Sequence, residues 1–185
     1  MHRSCSRERG LTLIELIFSV VLLAVLLAIA LPAYAAMLGR THERAAQASL
    51  QIALHQARLA AVARGMRVTL CPSDDGQNCL RTTQWQGGWL VFVDINRDGK
   101  RSADEPILHV GEAQAPGVAI LSTVGRMAVN YQADGSAAGT NVTFTLCDHN
   151  ASVKQARSLV VNQAGRIRSG TPSADAATTC LRATG

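Results

Sequence analysis

The chain is poor in aromatic residues and lacks the sequence motifs of common enzymes. Only two Trp, two Tyr and three Phe occur among 185 residues, so Val, Leu, Ile and Ala must fill any hydrophobic core. Residues 149–185 contain no aromatic residue at all, which excludes base stacking by that segment. Gly-x-Ser-x-Gly, His-Glu-x-x-His and phosphate-loop sequences are absent, so we expect neither an enzyme nor a cofactor-binding protein.

A single long apolar run lies near the N-terminus. Leu11 to Leu31 is long enough to cross a bilayer as a helix, and it contains one acidic residue, Glu15. A carboxylate inside such a run costs about 2.5–3.5 kcal/mol on insertion scales, which indicates a functional role. The leader before it, residues 1–10, carries three Arg and one Glu, and positive flanks of this kind stay cytoplasmic. The rest of the chain is therefore expected outside the inner membrane, in the periplasm.

The segment Gly10-Leu11-Thr12-Leu13-Ile14-Glu15-Leu16 resembles the class III signal of type IV prepilins and type II secretion pseudopilins, which usually have Phe where this chain has Leu11. The resemblance implies that a prepilin peptidase cleaves between Gly10 and Leu11 and methylates the new amine of Leu11. It also implies that Glu15 meets the N-terminal amine of a neighbouring pilin during assembly. The alternative is a secretory signal peptide, which would be cleaved after the run, at Ala33, Ala35 or Ala36.

The residues after the membrane segment favour a continuation of the same helix. Residues 33–64 are rich in Ala, Leu, Gln and Arg, which are good helix formers, and Gly65 is a predicted C-cap. Apolar residues recur there at three- and four-residue spacing and form a stripe on which a head can pack: Ala46, Leu50, Leu54, Ala57 and Ala61. The predicted organisation is a leader (1–10), a helix (11–64) with a transmembrane part (11–31), a β-rich head (65–168) and an extended C-terminal tail (169–185).

After Gly65 the pattern changes to short β-like segments separated by turn sequences. The predicted strands are Met66–Leu70, Trp89–Val93, Ile107–Val110, Val118–Ser122, Met127–Tyr131, Val142–Leu146, Ser158–Val161 and Arg166–Arg168.

Four of the five cysteines follow the leader and the apolar run, and an even number in an oxidising compartment predicts two disulfides. Three pairings are possible. Cys71–Cys79 with Cys147–Cys180 is favoured, because the first closes a short polar loop and the second fastens the tail to a strand. A zinc site is the alternative, but there is no Cys-x-x-Cys, and His149 lies too close to Cys147 for the usual spacing.

The segment 88–99, GWLVFVDINRDG, followed by Glu105-Pro106-Ile107-Leu108, resembles the central signature of the GspH/FimT group of minor pilins and pseudopilins. This resemblance implies an α+β, pilin-like fold in which the long N-terminal helix packs on an antiparallel head of two small sheets. The same segment satisfies the EF-hand expression with Asp94, Asn96, Asp98, Gly99 and Glu105, and those oxygens could bind calcium. The alternative is a hairpin loop whose side chains cap backbone amides, with Gly99 at positive φ.

Charge is unevenly distributed along the head. Residues 65–148 hold six Lys/Arg and nine Asp/Glu, whereas residues 149–185 hold five Lys/Arg and one Asp, a net charge of +4. Such asymmetry indicates an anionic partner. In an extended Gly165-Arg166-Ile167-Arg168 segment the two arginines would project from one face and Ile167 from the other. Guanidinium groups suit phosphate oxygens.

This Gly-Arg-x-Arg segment resembles the C-terminal motif of FimT-type pilins, which bind DNA during natural transformation. The resemblance implies phosphate contacts from Arg166 and Arg168, with little sequence preference and strong salt dependence. Lys154, Arg157 and Arg182 are candidate helpers. The alternative for the arginine pair is a solvated strand face or a salt bridge to an acidic neighbour.

Together these features predict a minor type IV pilin of the FimT/FimU kind. It would wait in the inner membrane as a single-pass protein, assemble with major and minor pilins at the cell surface, and bind double-stranded DNA. The alternatives are a purely structural tip or priming subunit, FimU-like, and a GspH-type pseudopilin of type II secretion.

Overall fold

The protein is described by a computed structural model that covers residues 12–137 and 139–184, without the side chains of residues 32 and 36. The predicted cleavage residues Gly10 and Leu11 lie outside the described residues. One helix, α1 (Leu13–Arg64), runs through both of the compact units into which the chain divides at Met37 and Leu38.

The unit before Leu38 is helical from Leu13 onward. Its large apolar side chains are exposed, as expected of residues whose natural surroundings are lipid or other apolar helices. By length and composition this helix is able to cross a membrane.

The unit from Leu38 onward is the head, in which the rest of α1 packs on two antiparallel sheets. The first sheet has the order β3-β2-β1-β5 and the second the order β4-β6-β7-β8. The strands are β1 (Val68–Pro72), β2 (Trp89–Val93), β3 (Ile107–Gly111), β4 (Val118–Ser122), β5 (Val129–Tyr131), β6 (Val142–Asp148), β7 (Arg157–Val161) and β8 (Ile167–Gly170). A 3-10 turn (Val153–Gln155) precedes β7, and a second helix, α2 (Ala174–Arg182), follows β8.

The hydrophobic core lies between α1 and the two sheets. The predicted helical stripe from Ala46 to Ala61 is buried, as is Ala53. From the sheets come alternate residues such as Leu70 and Val91 of the first sheet and Phe144 of the second. Burial of these side chains, at about 25 cal/mol per Å² of apolar surface, is what fixes the head on the helix.

The helix ends one turn before the first strand, so β1 starts later than predicted. Gly65 adopts φ +62°, and the Met66 N–H donates to the Ala61 carbonyl oxygen. This left-handed cap uses residues that the sequence assigned to a strand beginning at Met66. Likewise the fifth strand begins at Val129 instead of Met127, and the last strand begins at Ile167, because Arg166 belongs to a turn.

The prediction of an extended tail over residues 169–185 was wrong, because Ala174–Arg182 is helical. The Ser173 hydroxyl accepts a hydrogen bond from the Ala176 N–H at 3.2 Å, and Asp175 lies in the first turn. These are standard N-terminal stabilisers of a helix. The helix buries Ala177 and Cys180 against the second sheet.

Both favoured disulfides are present. Cys71–Cys79 closes the loop after β1, with 5.6 Å between the Cα atoms, and Cys147–Cys180 joins β6 to α2, with 6.1 Å between them. The second bond attaches α2 to the face of the second sheet opposite α1. Alternation along β6 shows this, because Phe144 and Leu146 pack in the core beside α1 and Cys147 points the other way.

Candidate nucleic-acid interface

The turn between β7 and β8 holds the Gly-Arg-x-Arg segment in a fixed conformation. The Asn162 side-chain oxygen accepts the Arg166 N–H at 2.9 Å, and the Asn162 N–H donates to the Arg166 carbonyl oxygen at 3.1 Å. Gly165 adopts φ +72° and is buried against the Gly135 carbonyl oxygen, where a Cβ atom would collide with the backbone. Glycine is therefore required at this position for two reasons, because the backbone has positive φ and because no side chain fits against Gly135.

Arg58 of α1 anchors this turn to the helix. Its Nε donates to the Gly135 carbonyl oxygen at 2.9 Å, and one terminal nitrogen donates to the Ala164 carbonyl oxygen at 3.1 Å. One guanidinium thus joins two turns that are distant in sequence, a role for which its fork of donors is suited. These contacts were not predictable from the sequence, since the partners of Arg58 are backbone atoms brought close only by the fold.

Strand β8 alternates as the spacing predicts. Ile167 is half-buried and packs against the core beside α1, whereas Arg166 and Arg168 are exposed. Ser169 is on the same side as Ile167, and its hydroxyl accepts a hydrogen bond from the Gln47 Nε2 of α1 at 3.0 Å. Arg168 therefore projects from the outer face of the second sheet, the face opposite α1, and the exposed Arg166 lies next to this strand in the turn that precedes it.

We call Arg166 and Arg168 the arginine pair. Within residues 12–137 and 139–184, neither guanidinium has a hydrogen-bond acceptor or a salt-bridge partner. The alternative of a salt bridge to an acidic neighbour is thus not found in this part of the chain. The pair is an exposed double positive charge on the β7–β8 turn and the edge strand that follows it, and this segment is attached to α1 at both ends.

The three predicted helpers are not gathered around the arginine pair. Arg157 begins β7 with the same parity as Leu159 and Val161, so it lies on the side of α1. Lys154 is in the 3-10 turn before it, and Arg182 is in the last turn of α2. All three are exposed, but the sheet separates Arg157 from the pair.

Lys154 and Arg157 instead line a groove of about 390 Å³ beside α1. We call this the stalk groove, and it is lined by Arg40, Glu43, Arg44, Lys154, Gln155, Ala156, Arg157, Gly170 and Thr171. Arg40 and Arg44 were missed by sequence analysis. Their four-residue spacing, which places both on one face of a helix, was the available signal.

Glu43 is the buried acid of the stalk groove, at 1% exposure. Burial raises its pKa from 4.5 to about 7, nearby Asp148 adds to the rise, and the positive charge of Arg157 opposes it. Among the described residues, its Oε1 has no hydrogen-bond partner. Asp148 is also buried and lies against Gly39 of α1, where a Cβ atom would collide with its carboxylate.

The EF-hand-like segment is a hairpin loop between β2 and β3. Glu105 accepts the N–H groups of Ile95 at 2.7 Å and Ser102 at 2.9 Å, and the buried Asp94 pairs with the Arg67 Nε at 3.1 Å. The alternative in which the side chains cap backbone amides is therefore the one observed. Gly99 has φ +73°, as that alternative predicts.

No group of three or more His, Cys, Asp or Glu residues suited to a metal ion occurs in the described part of the chain. Apart from Asp94, the candidate calcium ligands instead accept N–H groups of their own loop, as with Asn96, whose side-chain oxygen accepts the Asp98 N–H at 3.0 Å.

Comparison with known families gives two matches. The family described as type II transport protein GspH matches residues 46–165, which include most of the head, and the prokaryotic N-terminal methylation motif matches residues 5–31. The chain belongs to the GspH family. The resemblance to the GspH/FimT group is confirmed, and this chain is a minor pilin or pseudopilin.

The chain is also similar to solved structures. The type IV minor pilin FimU of Pseudomonas aeruginosa has a TM-score of 0.57 and 21% identity, with 74% of this chain and 92% of that chain covered. A second crystal form of FimU has a TM-score of 0.50 at the same identity, with 69% of this chain and 91% of that chain covered. The minor pseudopilin EpsH from the type 2 secretion system of Vibrio cholerae has a TM-score of 0.49 and 11% identity, with 71% of this chain and 98% of that chain covered. Comparison with curated protein sequences gives no match.

The similarity to FimU confirms the predicted α+β pilin-like fold. The methylation motif and the apolar N-terminal part of α1 fit a membrane-anchored protein with a soluble head. The family is one whose members interact with other pilins.

Proposed function

We propose that this minor pilin binds double-stranded DNA through its arginine pair, without sequence preference, for uptake in natural transformation. The observation that carries the proposal is the pair itself, two exposed arginines, one on an edge strand and one in the turn before it, without acidic partners in the described residues. Such groups contact phosphate oxygens and replace the counterions of the DNA, which are released.

The attachment of β8 supports a role in holding a ligand. Arg58, Gln47 and the half-buried Ile167 all connect the β7–β8 hairpin to α1. The arginine pair is therefore presented by a rigid element, which lowers the conformational entropy lost on binding. Two contacts for each subunit give weak affinity, so several copies or a tip position would raise it by multivalency.

The test is a titration of duplex DNA into the full chain in neutral detergent micelles at several salt concentrations. Each change, Arg166→Gln or Arg168→Gln, should lower the slope of log affinity against log salt by about 0.9. Arg81→Gln is the matched control, because Arg81 is an exposed arginine outside both the arginine pair and the stalk groove. Unchanged binding in the double variant would place the DNA contact elsewhere.

The second candidate is a purely structural tip or priming subunit, or a GspH-type pseudopilin of type II secretion. The family match and the FimU-like fold favour it as much as they favour DNA binding. Absence of DNA binding at low salt, together with normal assembly of the fibre, would support this candidate.

In both cases we propose that the chain is cleaved after Gly10, methylated on Leu11 by a prepilin peptidase, and assembled through Glu15. Glu15 is exposed near the start of α1, where a carboxylate in lipid needs a cation such as a neighbour's N-terminal amine. The mature protein should begin at Leu11 by mass spectrometry, and Glu15→Ala should prevent incorporation into the fibre. A different N-terminus, or normal incorporation of the variant, contradicts this assignment.

A further inference from the structure

The stalk groove is the second concentration of positive charge on the head. Two cations come from successive turns of α1, Arg40 and Arg44, and two come from the connection that leads into β7, Lys154 and Arg157. All four are exposed, whereas the groove's acid, Glu43, is buried. The local balance is therefore +3 when Glu43 is ionised and +4 when it is neutral.

Glu43 is the feature that distinguishes this groove from an ordinary basic surface. A buried polar atom without a partner is unfavourable by about 1–3 kcal/mol, and Oε1 is such an atom among the described residues. A neutral carboxyl can donate one hydrogen bond and needs an acceptor for it. An oxyanion in the groove supplies that acceptor and, at the same time, the negative charge that the four cations need.

We propose that the stalk groove binds a phosphate group of the nucleic-acid backbone, held by Arg40, Arg44, Lys154 and Arg157, with the Glu43 carboxyl as a hydrogen-bond donor. The choice of nucleic acid rests on the proposed function. Gly170, which lines the groove, is the last residue of the strand that carries Arg168. A single polyanion that crosses this edge strand can therefore contact the arginine pair on one face and the groove on the other.

The protonation state of Glu43 couples this site to pH. The groups around it are Arg40 and Arg44 of α1, Asp148 at the end of β6 with the adjacent His149, Lys154 of the 3-10 turn and Arg157 of β7. Above a pH of about 7 the carboxyl ionises and repels an anion, and below it the carboxyl is neutral and donates. Affinity should therefore fall as the pH rises through this value.

The size of the effect follows from the fraction of protein that is competent to bind. With a pKa of about 7, roughly nine-tenths of Glu43 is neutral at pH 6 and roughly one-tenth at pH 8, so affinity should fall about tenfold between them. Affinity decreases with rising pH because binding of the anion is coupled to uptake of a proton by Glu43.

The first experiment uses sulfate as the probe, because sulfate stays a dianion throughout this pH range. Isothermal titration of sodium sulfate into the full chain in dodecyl maltoside micelles, at constant ionic strength, is compared at pH 6 and pH 8. Wild type should bind about tenfold more weakly at pH 8. Glu43→Gln, whose amide stays neutral and can donate, should bind at both pH values with the affinity of wild type at pH 6.

Two outcomes of this titration overturn the proposal. The first is the absence of sulfate binding at pH 6. The second is a pH dependence that persists unchanged in Glu43→Gln, which would assign the effect to another group. Arg44→Gln with Lys154→Gln should weaken sulfate binding at least fivefold, and Arg64→Gln is the control for removal of an arginine from the same helix.

The second experiment separates the groove from the arginine pair. In a protein with the pair intact, Arg44→Gln with Lys154→Gln should lower the DNA salt slope by about two at pH 6. DNA binding that depends on the pair but not on these residues overturns nucleic acid as the ligand of the groove and leaves the proposed function standing. The converse result is that Arg166→Gln with Arg168→Gln leaves DNA binding unchanged, while sulfate and DNA still bind through the groove. This result contradicts the proposed function and supports the groove.

Discussion

Gly165 packs against the carbonyl oxygen of Gly135 with no space for a side chain between them. The contact joins the β7–β8 turn to the turn after β5, and Arg58 donates hydrogen bonds to both turns. The glycine of the Gly-Arg-x-Arg segment therefore has a structural role that is separate from any contact of the arginines with a ligand.

Substitution of Gly165 by alanine should destabilise the head strongly. The residue has positive φ, which costs an L-residue about 1–2 kcal/mol, and its new methyl group would also strike backbone. We expect a total loss of more than about 2 kcal/mol in the free energy of unfolding, measured by urea denaturation.

Gly125→Ala is the matched control for that change. Gly125 has φ +80° but no atom within 4 Å of an added Cβ, so its substitution costs only the free energy of placing alanine at positive φ. Equal losses in the two variants would show that the contact with Gly135 contributes nothing.

The two disulfides should differ in their contribution to stability. Cys147–Cys180 joins residues 33 apart in sequence and Cys71–Cys79 joins residues 8 apart. In the chain-entropy treatment, the longer loop corresponds to about 3.7 kcal/mol and the shorter to about 2.5 kcal/mol. Replacement of each pair by serine, followed by thermal unfolding, should rank them in that order.

Loss of the longer disulfide should have a local effect as well. The helix α2 has nine residues, too few to be stable alone, and Cys180 is one of its two buried residues. Hydrogen exchange of the α2 amides should therefore become much faster in Cys147→Ser with Cys180→Ser. Slow exchange that persists there would mean that Ala177 and its neighbours suffice to hold the helix.

The stability of the head should decrease as pH rises from about 4.5 to 7 through the ionisation of Glu43. Its pKa is higher in the folded protein, about 7, than the ordinary value of 4.5, so in this window the unfolded chain releases a proton that the folded chain keeps. Ionisation therefore favours unfolding, and the contribution of Glu43 is fully present below pH 4.5 and lost above pH 7.

Glu43→Gln isolates this contribution from those of other titrating groups. The free energy of unfolding of the variant, relative to that of wild type, should rise by about 2 kcal/mol between pH 4 and pH 8. This is less than the full pKa shift of Glu43 implies, because the groove is open to solvent. Chemical denaturation at the two pH values measures it. A constant difference between variant and wild type would contradict the raised pKa of Glu43.

Local patterns were sufficient for the elements that pack within one part of the chain. The stripe from Ala46 to Ala61 and the strands Trp89–Val93 and Val118–Ser122 were predicted at their observed positions. Helix α2 was missed because its short, Ala- and Thr-rich sequence has little intrinsic stability, and it depends on a disulfide and on the sheet beneath it.

The grouping of charged residues was not predictable in the same way. Arg157 and Arg168 are on adjacent strands, but the side from which each projects depends on the register across the β7–β8 turn. The stalk groove brings Arg40 and Arg44 beside Lys154, more than a hundred positions away in the sequence. Only the packing of α1 on the second sheet makes these residues neighbours.

The attachment of β8 to α1 determines how mechanical load would pass through the head. A pull on Arg168 reaches the helix by a short route, through Ser169 and Gln47 on one side and through Ala164 and Arg58 on the other. The first sheet and both disulfides lie outside that route. A force applied at Arg168 would thus reach α1 through one hairpin, by contacts that involve neither the first sheet nor the disulfides.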